Sequence, residues 1–195
     1  RLIRKAVWKA AGACKDITAA HLQAVADLLE KQTGRYVKLP YGLTATRVYN
    51  VIEIMGKRKE TEKICLPIDT DRLPENLLAG EWKFSFKKFL YDGNTDKIPR
   101  KMYTKWFDYD KIKDSLAIRN RRKGDYFVLD AAGHHKKLED YFVNEKIPAS
   151  HRDEQLLLAG EDEIFWIVGG RMAYGTGISD ATRWVLEITA SNSSH

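Results

Sequence analysis

The sequence predicts an α+β fold: a helical lead-in followed by mostly antiparallel β structure with a short central helix. Three observations predict it. Near the N-terminus, Leu2, Ile3, Ala6, Val7 and Ala10 recur at helical spacing on one face. From Tyr36 onward the period drops to two, and β-branched and aromatic residues gather into short runs. Helical spacing then returns only briefly, at Leu138, Tyr141 and Phe142 ahead of Pro148.

The elements follow in order. "RLIRKAVWKA" opens inside a helix with an arginine, which suggests that further chain precedes it, and Gly12 stops that helix. Thr18 is the expected N-cap of a second helix, with Ile17 and Leu22 as a hydrophobic staple. Leu22, Val25, Ala26 and Leu29 form its expected buried stripe, and Gly34 its C-terminal cap. "YVKLPYGLTATRVYNVIEI" reads as two strands around a Pro-Tyr-Gly turn. "MGKRKETEK", which holds Arg58 and Lys59, reads as a solvated loop, and "KICLPIDTDRLPENLLAG", with two prolines and a glycine, as a linker. Beyond it, Trp82, Phe84 and Phe86 alternate with charged or small residues in a half-buried strand. "KMYTKWFDYD", "DYFVLD", "EIFWIVGG" and "RWVLEIT" supply further strands, the last with Trp184, Leu186 and Ile188 on one face. The expected division is 1–72 (helical pair plus β-hairpin), 80–190 (a C-terminal α+β domain) and a polar tail, 191–195.

Composition narrows the function classes. A formal net charge of +6 and a pI near 9.2 favour acidic partners, nucleic acid first. No apolar run approaches the roughly 20 residues of a membrane span, so no membrane partner is expected. The N-terminal stretch alternates charge with apolar residues and lacks the separate apolar core of a signal peptide. Cys14 and Cys65 match no metal-ligand spacing and read as reduced thiols of a cytoplasmic protein.

Catalytic signatures are missing from the sequence. It contains no G-x-x-x-x-G-K-[ST], G-x-G-x-x-G or G-x-S-x-G, and "GGRMAYGTG" does not combine the lysine of a phosphate-binding loop with a hydroxyl residue for magnesium. His134 and His135 are adjacent, so on a strand they face opposite ways, and His151 stands alone; no metal site is expected. Asp108 and Asp110 read as solvated carboxylates of an aromatic-charged strand.

The basic segment "IRNRRKGDYFVLDAAGHHKKLEDYF" is more informative. Arg119, Arg121, Arg122 and Lys123 precede a Gly124-Asp125 turn whose aspartate is placed to anchor neighbouring arginines. Lys136 and Lys137 stand where the Leu138–Phe142 helix begins. There they oppose the helix dipole, at a cost of about a few tenths of a kcal/mol each, which a bound phosphate would offset. Arginine forks suit phosphate oxygens and base edges.

Residues 116–188 carry an R-x-R-x-x-G-D entry, a K-K-L-E-D-x-F helix, an I-P-x-x-x-R-D turn, an I-x-W-V-x-G-x-R strand and a closing T-x-x-x-L-E-I strand. These include Arg119, Arg121, Gly124, Asp125, Lys136, Lys137, Pro148, Arg152, Asp153, Trp166, Gly169, Arg171 and Thr182. In order and spacing the pattern resembles the C-terminal domain of bacterial tRNA(Ile)-lysidine synthetases. "DITAAHLQAV", "YVKLPYG" and "TKWFDYDKI" extend the resemblance over nearly the whole chain.

The resemblance implies a ligase that adenylates the wobble cytidine of an isoleucine CAU tRNA with ATP and then joins lysine to it. It places ATP and Mg2+ on an S-G-G-x-D-S loop of an N-terminal catalytic domain, and that loop does not occur in this sequence. This chain would be the tRNA-recognition part, catalytically inactive alone, with 1–72 on the tRNA body and 80–190 on the acceptor stem. Its tRNA-binding residues would be Arg119, Arg121, Arg122, Lys123, Lys136, Lys137, Arg152 and Arg171. Gly124, Asp125, Pro148, Asp153, Trp166, Gly169 and Thr182 would be structural. The partners implied are the tRNA, the protein's own N-terminal domain and a second copy in a homodimer. Two departures stand out: Gly177 replaces a lysine usual in the family, and Gly170 a frequent aromatic. A generic RNA-binding module remains a second reading. An editing-type hydrolytic domain is a third, because the family's C-terminal fold resembles the editing region of phenylalanyl-tRNA synthetase β chains.

Overall fold

A computed structural model describes residues 1–12, 15–56 and 63–192. The chain forms two compact units, 1–61 and 62–195. Cys14, Arg58 and Lys59 lie outside the described residues.

In the first unit, α1 (Leu2–Ala11) turns Ile3, Val7 and Ala11 toward the core, and Val7 is fully buried. Gly12 adopts a left-handed φ of 64° and donates its N–H to the Trp8 carbonyl, closing the helix. The N-cap of α2 (Ala19–Asp27) is Thr18, whose hydroxyl accepts the His21 N–H while the His21 ring accepts the Thr18 N–H. This is a capping box with histidine in the usual Glu/Gln place. The chain then tightens into a 3-10 turn over Leu28–Glu30. A 3-10 turn advances about 120° per residue rather than 100°. As a result Leu28 is buried, whereas Leu29, expected in the buried stripe, is 49% exposed. Gly34 donates to the Arg47 carbonyl in the turn that leads into the sheet and does not cap α2. The two strands expected next are three: β1 (Tyr36–Lys38), β2 (Thr44–Val48) and β3 (Val51–Met55), antiparallel in that order. Tyr49, at φ 49°, breaks the longer run into a tight turn. Val7, Val25, Leu28, Leu39, Leu43 and Ala45 make this unit's core.

The second unit begins with β4 (Cys65–Ile68), β5 (Asn76–Ala79), β6 (Trp82–Leu90) and β7 (Thr104–Asp108). A short helix, α3 (Tyr109–Ile112), leads to β8 (Leu116–Arg119). The hairpin β9 (Tyr126–Val128) and β10 (His135–Lys137) precedes α4 (Leu138–Asn144) and α5 (Ala149–Arg152). The chain closes with β11 (Leu157–Ala159), β12 (Ile164–Ile167) and β13 (Trp184–Asn192).

Two four-stranded antiparallel sheets result, ordered β5-β6-β13-β7 and β12-β11-β8-β4. One face of each supplies the main core. Phe84, Phe107, Leu186 and Ile188 from the first sheet join Ile118, Leu158 and Trp166 from the second. Each fully buried side chain of this size contributes roughly 1.5–3 kcal/mol. The opposite face of the second sheet buries Leu157, Ile164 and Ile167 against Phe127 and against Leu138 and Phe142 of α4. β11 is therefore buried on both faces, Leu158 toward one core and Leu157 toward the other.

The stretch read as a linker is largely sheet. β4 pairs residue for residue with β8, and β5 with β6. Pro67 is tolerated because β4 is an edge strand. The division between units accordingly falls between Thr61 and Glu62 rather than near 72. Ser191 and Asn192, expected in a polar tail, end β13 opposite Lys83 and Trp82. Among the described residues, no helix is long and apolar enough to cross a membrane.

Candidate nucleic-acid interface

The basic entry segment lies between β8 and the β9–β10 hairpin. Gly124 takes a φ of 99°, which lets the chain reverse there. Asp125 follows with its side chain wholly buried. Its two oxygens accept both terminal nitrogens of Arg119 at 2.9 Å, and one also accepts the Arg122 N–H at 2.7 Å. The Arg119 side chain is 1% exposed and donates in addition to the Asn120 and Glu161 carbonyls. A buried carboxylate needs such a partner, since removing a charge from water costs several kcal/mol. Both terminal nitrogens of Arg119 are thus engaged and its Nε is buried, so it offers no edge at the surface for a phosphate, and its expected place among RNA contacts is corrected to a structural one.

Arg121 is half-buried, with Nε and one terminal nitrogen each 2.7 Å from Asp153 and another nitrogen 3.7 Å from Glu139. It ties the entry segment to α4 and to the end of α5. Arg152 donates from Nε to the Ile147 carbonyl at 2.9 Å, fixing the turn at Pro148, which is the N-cap of α5. Asp153 thus serves Arg121. The motif pairs are internal clamps.

What these clamps leave is a set of cations at the surface. Arg122 and Lys123 are exposed; Arg122 reaches Cys65 Sγ at 3.0 Å. In the hairpin register Lys136 stands opposite Phe127 and Lys137 opposite Tyr126. Adjacent strand residues point to opposite faces, so the two lysines do not share a side. Lys136 is half-buried on the Phe127 face, while Lys137 is exposed on the other. Exposed Arg171 sets its guanidinium 5.5 Å from the centre of the Phe127 ring and 3.4 Å from the Leu129 carbonyl. Lys137 does precede α4, as the spacing predicts. The helix end itself is no anion cradle: α4 has seven residues, Glu139 and Asp140 fill its first turn, and the Leu138 N–H is already bonded to the Asp125 carbonyl. In the hairpin loop, the His134 ring hydrogen-bonded to Asp130 holds that carboxyl below its ordinary 3.8.

The remaining motif residues are structural in their contacts. Trp166 is fully buried, and Gly169 (φ 76°) lies beneath the Tyr103 ring, where a Cβ would come within 2.7 Å of a ring carbon. Thr182 donates its hydroxyl to Asp108 at 2.7 Å. Asp108, expected to be solvated, is 4% exposed and also pairs with Lys111 at 3.3 Å. Nothing in "KMYTKWFDYD" signals this, because Thr182 lies on a distant loop. Asp110 is exposed beside Lys113. Of the family departures, Gly170 is exposed and Gly177 bridges to Phe107. A cavity of about 290 Å³ is rimmed by Asp114, Glu161, Asp162 and Glu163 against one cation, Lys111, a net negative lining that disfavours a polyanion.

Residues 116–188 match the family described as the TilS substrate C-terminal domain. Over 189 residues the chain is 32% identical to a tRNA(Ile)-lysidine synthase of Caldanaerobacter subterraneus, covering 96% of this chain and 40% of that protein. It is 29% identical to one of Clostridium perfringens, covering 97% and 42%. The chain thus spans about two fifths of the length of these curated relatives. A crystal structure of a TILS C-terminal domain shares the fold, with a TM-score of 0.50 at 19% identity over 68% of this chain and 98% of the other.

Proposed function

We propose that this chain is the tRNA-binding portion of a tRNA(Ile)-lysidine synthase, a reading supported by the match of residues 116–188 to the TilS substrate C-terminal domain family. The observation that carries the reading is the sorting of the basic residues. Carboxylates hold Arg119 and Arg121, and Arg152 holds a turn, whereas Arg122, Lys123, Lys137 and Arg171 stay exposed at or near one hairpin and Lys136 is half-buried in it. Such a surface suits the phosphates of a folded RNA, since RNA duplexes are gripped through shape, phosphate and 2′-OH rather than base edges.

In this reading the second unit takes the acceptor stem and the first unit the tRNA body. The RNA is an isoleucine tRNA with a CAU anticodon, met in the cytoplasm. Lysine ligation with ATP and Mg2+ belongs to the protein's catalytic domain, because this sequence has no phosphate-cradling loop. The chain alone neither exchanges pyrophosphate into ATP nor forms lysidine.

The test is a titration of the chain with isoleucine CAU tRNA and elongator methionine tRNA, each also with the other's acceptor stem, over a range of salt. Affinity is expected to follow the acceptor stem and to fall with salt at a log-log slope of about −0.7 to −0.9 per phosphate held. Indifference to the stem would leave a generic RNA-binding module, and turnover of a mischarged tRNA would favour the hydrolytic reading. Stoichiometry in the same titration reports whether a homodimer binds.

A further inference from the structure

Tyr103 lies just ahead of β7, and its placement is not explained by core packing. Its ring is laid over the backbone of Gly169, which tolerates it only because no Cβ intervenes. The ring also meets Trp82, with centroids 5.3 Å apart and planes at 45°. Two supports thus fix its orientation, yet 40% of Tyr103 stays exposed, and its neighbour Met102 is 59% exposed. An aromatic ring held by two supports and still 40% exposed is suited to stacking, because little side-chain freedom remains to be lost on binding.

Cations lie close to this ring along the chain. Arg100 and Lys101 lie three and two residues ahead of it and are exposed, and among the described residues neither is in an ion pair. Gly169 is two residues before Arg171, so the ring's support lies at most about 7 Å of chain from a cation of the hairpin surface. An apolar stacking surface beside positive charge fits a nucleotide: base on the ring, phosphate on the cations. A purely apolar partner would gain nothing from the arginine and lysine.

We propose that Tyr103 is a stacking platform for an unpaired RNA nucleotide flanking the duplex held by the basic hairpin, with Arg100 and Lys101 meeting that nucleotide's phosphates. The proposal rests on the tRNA-binding reading and adds a second contact to it.

The experiment uses the full chain and three kinds of RNA stem-loop: blunt, with a four-nucleotide single-stranded overhang (3′ and 5′ tested separately), and with the same overhang made abasic. One polarity of overhang is expected to bind about tenfold tighter than the blunt stem, and its abasic form no tighter than blunt. Tyr103→Phe should keep that advantage. Tyr103→Leu should lose it while binding the blunt stem as the wild type does, which also reports that the variant is folded. If the wild type binds the blunt stem but gains nothing from either overhang, or if Tyr103→Leu keeps the gain, the platform is refuted and the tRNA-binding reading stands. If no stem-loop binds, the tRNA-binding reading itself fails and takes the platform with it.

Discussion

Replacing Asp125 by alanine removes the carboxylate that, among the described residues, pairs with Arg119, a guanidinium whose side chain is 1% exposed. Two bonds of 2.9 Å disappear at once, and the Arg122 N–H loses its 2.7 Å acceptor. Breaking one side of a buried pair leaves an uncompensated charge and costs about 3–5 kcal/mol. Against the roughly 5–15 kcal/mol that holds a domain together, that is a large fraction. For a unit of this size it corresponds to a fall in Tm of roughly 10–20 °C. Urea and thermal melts followed by circular dichroism measure it directly. The double substitution Arg119→Met with Asp125→Leu removes both charges and is expected to recover most of the loss, because an apolar pair needs no partner. A loss below about 1 kcal/mol for Asp125→Ala would refute the reasoning: Arg119 would then not depend on the carboxylate and would be free to meet RNA.

Three further outcomes are expected. Gly169→Ala combines a left-handed φ with a Cβ 2.7 Å from the Tyr103 ring and should cost about 1–3 kcal/mol in thermal melts, less when Tyr103→Ala relieves the clash. Thr18→Ala removes the cap of α2 and should cost about 1 kcal/mol in the first unit, read by amide exchange in α2. For Asp130, whose carboxyl is held below 3.8, the pairing with His134 is present above that value and lost as pH falls through the depressed pKa. Carbon-detected NMR of the His134→Ala variant should show the Asp130 titration moving up toward 3.8.

The sequence was most legible where one face of an element is buried. Alternation in "EWKFSFKKFL" and "RWVLEI" located β6 and β13, which pair antiparallel along their whole length. The Thr18 cap and Gly12 stop were readable from local hydrogen-bonding chemistry. β11 was not readable, because a strand buried on both faces shows no period and "LLLA" fits helix or sheet. β4 was obscured by Pro67, tolerated only through its edge position, a tertiary fact. For the site, clustering of basic residues pointed to the right segment. It could not separate Arg119 from Arg122, since which arginine turns inward is decided by the β8 register and the buried Asp125. Nor could it show that Lys136 and Lys137 point apart, which follows from their lying on β10 rather than in a helical turn.

The central claim is that a localised set of exposed cations, not diffuse charge, holds the RNA. Lys123 and Lys137 lie at the same end of the hairpin, the former in the turn before β9 and the latter opposite Tyr126. The most direct measurement compares tRNA affinity at fixed salt for Lys123→Ala with Lys137→Ala against Lys97→Ala with Lys113→Ala. The second variant removes the same charge from surface pairs with Asp92 and Asp110. A charge-assisted phosphate contact contributes about 1.5–3 kcal/mol, so the first variant should bind about tenfold more weakly or worse while the second stays within about twofold of wild type. Equal weakening in both variants would contradict the account.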